Sequence, residues 1–255
     1  MPLPPDALFD VPTPLPPVGQ LLLLAGEYTR HNDSVDLGST GQDQSIHSRS
    51  AERLASETTA AITAVVGLRL FHHADLTAAL VRLRQVAYLA DAASRHGPRL
   101  ARELTSFAPE AVVDSAARIA AHMRRRRSGH ALEPDDRLDA VQQAALHEIA
   151  LGHVVSTSSL NREYLHSTGA RVSLGALRAV KSHGFVERSP GSAPAAFDGG
   201  PRQDRVRLTL DGATALATVI TTPSASRDAP AVTLARPAPG FATRPASSRS
   251  SAPGR

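Results

Sequence analysis

Through the middle of the chain, apolar residues recur at the three- and four-residue steps of amphipathic helices. AERLASETTAAITAVVGLRLF sets Leu54, Ile62, Val65, Val66 and Leu70 in an Ala-rich helical stretch. A second helix begins near Asp75, with Leu76, Leu80, Leu83, Ala87 and Ala90 on one stripe. Gly97-Pro98 punctuates, RLARELTSF predicts a short helix, and Pro109 suits the first position of another. The buried stripe of that helix is Val112, Val113, Ala116, Ile119 and Met123. Residues 50–130 therefore read as an all-α segment of three or four helices. Asp135 and Asp136 are placed to cap the next helix, whose apolar residues are Leu138, Val141, Ala145, Leu146 and Ile149.

From Ser158 to Leu210 the pattern reads helix, tight turn, helix, strand, loop, strand. SSLNREYLHST puts Leu160, Tyr164 and Leu165 on one side of a first helix, and Gly169 breaks it. The second helix, 173–183, carries Leu174, Leu177 and Val180 at helical spacing. Ser173 fits as its N-cap, Val172 and Leu177 as a hydrophobic staple, and Gly184 as the residue that ends it. Phe185–Arg188 and Arg205–Leu210 alternate like paired strands, and Val154-Val155-Ser156 supplies a minimal third. DGATALATVI closes the segment as a short helix capped by Asp211.

The ends differ from this middle. Residues 1–49 and 221–255 are rich in Pro, Ser, Gly and Ala without periodicity, and read as a disordered arm and a disordered tail. Leu21–Leu24 is an apolar run inside the arm: a sticky patch on a flexible tail, or a short clip onto the body. The expected fold class is mostly α: an N-terminal helical segment at 50–130, then a winged helix-turn-helix domain at 135–220 with a small two- or three-stranded β-wing.

Composition removes most chemistry. The 255-residue chain has a net charge of +4, and Lys181 is its only lysine. No cysteine is present, which excludes disulfides, thiol nucleophiles, iron–sulfur clusters and Cys-type zinc sites. No Gly-rich loop ends in Gly-Lys-Ser/Thr, and no GxSxG or GxGxxG occurs, so no catalytic residue and no cofactor is expected. His147-Glu148 opens like a zinc-protease motif, but Leu151 stands at the fifth position and His153 falls on another face, so no metal is expected. His72 and His73 are adjacent and read as surface residues. The N-terminal apolar run has no basic residue before it and is too short to span a bilayer, which predicts a cytoplasmic protein with no membrane partner. Arg- and Ala-rich usage with one Lys is associated with high-GC bacteria.

SSLNREYLHSTGARVSLGALRAVKSHGFVERS and, after the loop, DRVRLTLDGATAL carry a family resemblance. Residues 136–220 resemble a winged helix-turn-helix domain, similar to the MarR-type regulators of bacteria. That resemblance implies a transcriptional regulator that binds double-stranded DNA as a homodimer. The family closes with long C-terminal helices that help dimerise; here a ten-residue helix is followed by the tail, so the dimer contact is expected from residues 50–130.

The expected DNA contacts follow from helix geometry. With Leu174, Leu177 and Val180 inward, Gly175, Ala179 and Ser182 point out, with Arg178 on the flank. Small residues at 175 and 179 would let the helix approach base edges, where Arg178 could read a guanine. Arg171 lies before the positive helix end, suited to a phosphate; Ser173 and Lys181 belong to the same helix. Arg205 and Arg207 alternate onto one wing face and would reach the backbone or minor groove. Residues 150–220 hold eight basic and five acidic side chains, a modest excess for a DNA binder. The alternative is a protein-interaction module using a winged helix that does not bind DNA. Arg124–Arg127 end a helix, where cations complement the macrodipole as a solvated end, or alternatively form an auxiliary phosphate patch. No residue pattern supports a small-molecule effector.

Overall fold

A deeply buried helix lies where the sequence pattern predicted a disordered arm. In the computed structural model, which describes residues 15–38, 44–70, 73–126, 137–159, 162–197 and 199–220, helix α1 spans Pro17–Leu37. Pro17 opens it with a preset φ. Val18, Leu21, Leu22, Ala25 and Tyr28 then turn one stripe into the core at helical spacing. Leu21 and Leu22 are fully buried, each contributing about 1.5–3 kcal/mol relative to exposure. The apolar run is therefore neither patch nor clip but part of the central helix.

Around α1 stand α2 (Gln44–Gly67), α3 (Ala74–Ser94), α4 (Pro98–Thr105) and α5 (Ala108–Arg126). α1 packs against α2, α4 and α5 and also against α8 and strands β3 (Val186–Ala193) and β4 (Gln203–Leu208). The Tyr28 hydroxyl is buried and lies 2.8 Å from Thr58 Oγ1. Its burial pushes the phenol well above its ordinary pKa.

Helix α6 (Ala140–Ala150) is capped at Asp139, not at Asp135 or Asp136, which lie outside the described residues. Gln142 N donates to Asp139 Oδ1 at 2.7 Å and Asp139 N donates to Gln142 Oε1 at 3.1 Å, a complete capping box.

The helix expected over 158–168 is instead most of a β-hairpin, β1 (Val154–Ser159) with β2 (Arg162–Ser167), in which Val154 pairs with Ser167 and Ser158 with Glu163. Ser-Thr-Ser-Ser after two valines is poor helix sequence, because short hydroxyl side chains compete for backbone hydrogen bonds and β-branched ones lose rotamers. Exposure alternates along β2, with Arg162, Tyr164 and His166 outward. The Leu160–Tyr164–Leu165 spacing was thus a coincidence of two periods. Among the described residues no helix lies between α6 and the helix expected at 173–183.

Helix α7 (Leu174–Ser182) follows, then β3 (Val186–Ala193), β4 (Gln203–Leu208) and α8 (Leu210–Val219). The four strands form one antiparallel sheet in the order β2-β1-β4-β3, with an irregularity between Ser189 and Ala193. The β3–β4 half of that sheet covers the two strands expected as a wing. α8 is capped by Thr209, whose Oγ1 accepts from Gly212 N at 3.1 Å, rather than by Asp211.

The described fold is thus mostly helical with a small antiparallel sheet. One hydrophobic core runs through it: Leu22, Tyr28, Val112 and Ile119 belong to the same cluster as Leu146, Val154, Phe185 and Leu216. The boundary expected between 130 and 135 separates no cores. Among the described residues no helix is long and apolar enough to cross a membrane. The tail expected over 221–255 lies outside them.

Candidate nucleic-acid interface

Helix α7 is held at both ends. Ser173 Oγ accepts from Ala176 N at 3.1 Å, the expected N-cap. Its buried side is Ala176, Leu177 and Val180, with Leu174 only half-buried, a small rotation from the expected stripe. At the C-terminal end Gly184 takes φ +74°, Gly184 N donates to Lys181 O at 3.0 Å and Phe185 N donates to Val180 O at 3.0 Å. Phe185, fully buried, anchors this end, with the Arg137 guanidinium 4.8 Å above its ring.

Thr209 ties the same end to α8. Its N–H donates to Phe185 O at 3.0 Å and its Oγ1 donates to Gly184 O at 2.7 Å. A side chain at Gly212 would run into the Phe185 carbonyl, so glycine is what lets α8 approach this closely.

This anchoring leaves one side of α7 in solvent. Arg171, Ser173, Gly175, Arg178, Lys181 and Ser182 are all exposed. Arg171, Arg178 and Lys181 make no hydrogen bond or ion pair with any described residue. From Tyr164 to Val186 the chain carries no carboxylate at all. Of the two acids that bound this stretch, Glu163 pairs with Arg188, while Glu187 stands exposed without an ion pair to any described residue. Elsewhere Arg30, Arg53, Arg82, Arg95, Arg102 and Arg118 each hold a carboxylate, although Arg49 and Arg84 also stand exposed and unpaired. Arg162 on β2 and Arg202 before β4 share that unpaired state. The sequence pattern did not single them out, because a free arginine differs from a paired one only by its distant neighbours.

The two β4 arginines expected to reach DNA do not join this surface. Arg205 and Arg207 share a strand face, as alternation predicted, but that face turns inward against α1. Arg205 donates from Nε and Nη2 to both carboxylate oxygens of Asp33 at 2.8 and 2.6 Å, and from Nη1 to Gly152 O at 2.6 Å. Its side chain is 12 % exposed and that of Asp33 5 %. This is a bidentate interior pair whose charge is already met by Asp33, and its burial keeps it from a phosphate outside. Arg207 is half-buried in a cleft beside α1, and desolvation, followed by the nearby Arg30, pushes its guanidinium below the ordinary value.

Other candidate positions are structural. Arg124 donates to Ile220 O at 2.5 Å and joins α5 to the end of α8, so this part of the Arg124–Arg127 run is not a solvated helix end; the Arg126 side chain and Arg127 lie outside the described residues. Glu148 is buried and accepts from His153 Nδ1 at 2.8 Å, while His153 Nε2 lies 3.4 Å from Glu110 Oε1. Gly169 leaves the space that this pair occupies. Among the described residues no group of acidic and histidine side chains is arranged to hold a metal. His73 caps α3 by accepting from Asp75 N at 3.2 Å, and His72 lies outside the described residues.

The chain matches no known family model, no curated protein and no solved structure.

Proposed function

We propose that this protein is a cytoplasmic, bacterial, DNA-binding transcriptional regulator of winged-helix type, with α7 lying in the major groove. The observation that carries the reading is the exposed side of α7: three unpaired cations, small residues at 175 and 182, and no carboxylate over 23 residues of chain. Desolvating a guanidinium against a phosphate disrupts no existing pair here, which favours α7 over the arginines already bound to carboxylates. The order helix, strands, helix, two wing strands, helix supports a winged helix in which a hairpin stands where MarR-type proteins have a helix. Arg171 and Lys181 take phosphates and Arg178 reads a base edge. Arg205 and Arg207 take no part. Homodimerisation falls to the α2–α5 segment, and the protein is a binder rather than a catalyst.

The test is binding to genomic DNA fragments across a salt series. Two phosphate contacts per protomer, from Arg171 and Lys181, give a slope of log affinity against log salt of about −2 per protomer. Arg178→Ala weakens a selected site by about 1–3 kcal/mol and relaxes discrimination at one base position. Absence of binding at low salt overturns the reading. A salt-insensitive complex with a protein partner would instead support the interaction-module alternative, for which the missing first helix is the favouring observation.

A further inference from the structure

Arg205 and Arg207 are two residues apart on one face of β4, and only one of them has a counterion. Arg205 has Asp33 and the Gly152 carbonyl. Arg207 makes no hydrogen bond and no ion pair to any described residue, and its Nε is withdrawn from solvent without an acceptor. Buried donors in native proteins are nearly always paired, and a charged one more so.

The carboxylates near Arg207 do not answer it. Glu27 Oε2 already accepts from Arg30 Nη1 at 2.9 Å and from Arg53 Nη2 at 3.1 Å. Glu187 is the register partner of Arg207 across the β3–β4 pair and lines the same cavity, yet it is exposed and no ion pair joins the two.

What Arg207 does face is a cavity of about 290 Å3 between α1, the end of α6 and β4. That is at the lower edge of the range, about 300–1,000 Å3, of small-molecule sites. One wall is apolar, with Leu23 on α1, Ile149 on α6 and Leu208 and Leu210 on and after β4; Glu27, held by Arg30 and Arg53, and the exposed Glu187 stand at its polar side. Gly26 opens the α1 side: a Cβ there would meet nothing within 4 Å.

We infer that this cavity binds a small organic carboxylate, its two oxygens on the Arg207 guanidinium and its apolar body against Leu23, Ile149 and Leu208. A planar fork with no protein acceptor matches a carboxylate in the way Arg205 already matches Asp33. The apolar wall selects an acid with a hydrocarbon body over an inorganic anion. The site would join α1 to the strand that follows the wing loop. The inference does not depend on DNA binding, and it is measured on the protein alone.

The experiment titrates the full chain with acetate, butanoate, hexanoate and octanoate, against chloride at matched ionic strength, hexanol and inorganic phosphate. Thermal unfolding and titration calorimetry are the readouts. The unfolding midpoint rises with hexanoate concentration, the effect grows with chain length, and hexanol and phosphate have none. Arg207→Gln weakens hexanoate binding roughly ten- to a hundredfold, the loss expected for a hydrogen-bonded charge pair. Gly26→Leu fills the cavity from a helical position with open space, so this variant stays folded and loses the response. No carboxylate effect beyond chloride overturns the site. So does a response that survives both substitutions, and phosphate acting as strongly as hexanoate overturns the organic acid.

Discussion

His31 lies on α1 at 2 % exposure, with Nδ1 3.1 Å from Ser50 Oγ and Nε2 without a partner. Burial above all, with further repulsion from His47, Arg102 and Arg53, lowers its pKa from 6.5 to about 4. The folded state therefore holds this ring neutral where the unfolded chain would protonate it. Stability is full above the unfolded value and is lost as pH falls from about 6.5 towards 4, by at most about 3 kcal/mol. His147, also lowered by desolvation, acts in the same direction. Chemical denaturation at several pH values should show this loss, and His31→Gln should flatten it; an equally steep loss in the variant would clear His31 of the effect. Nothing in the local pattern marked this histidine. Its burial is set by Ser50 and His47 on another helix, while the residues that drew attention, His72-His73 and His147-Glu148, did so only by adjacency.

α1 and β4 are joined by a contact neither element needs locally. Asp33→Ala strands Arg205 as an uncompensated interior cation, and a cost of about 3–5 kcal/mol in urea unfolding is expected. A loss within the scatter of surface substitutions would show that water reaches the pair. The same contact explains why α1 was hard to read. Its apolar stripe at 18, 21, 22, 25 and 28 has a helical period, but Thr29, His31, Asn32 and Asp33 are buried polar residues that pattern alone assigns to solvent. Asn32 and Asp33 find their partners on other elements, Asn32 exchanging hydrogen bonds with Thr105 and Asp33 holding Arg205. Helices α3, α5 and α7 were legible because each buries residues at helical spacing along one side. The β1–β2 hairpin was not, since two sparse leucines and a tyrosine fit either period. At the interface, alternation put Arg205 and Arg207 on one face correctly. Only the packing of α1 decides that this face is inner.

At the scale of the molecule, the helical body and the sheet share a core from Leu22 to Leu216. A fragment beginning at residue 135 would expose Leu146, Val154 and Phe185 to water where the body now covers the cluster they belong to. Such a fragment should give the amide spectrum of an unfolded or molten chain; a dispersed, native-like spectrum would establish a separate winged-helix domain. The mostly helical class was readable from periodicity. The single core was not, because it depends on which helices meet.

The Asp33–Arg205 pair also carries a consequence for synthesis. Its partners lie 172 residues apart. During translation α1 leaves the ribosome early, with an apolar stripe and a carboxylate whose cation does not yet exist. The final packing of α1 therefore waits for β4, nearly the last element described. Until then the nascent chain must carry that helix unsatisfied, which puts the interval of greatest exposure to aggregation or chaperone capture before β3 and β4 are made.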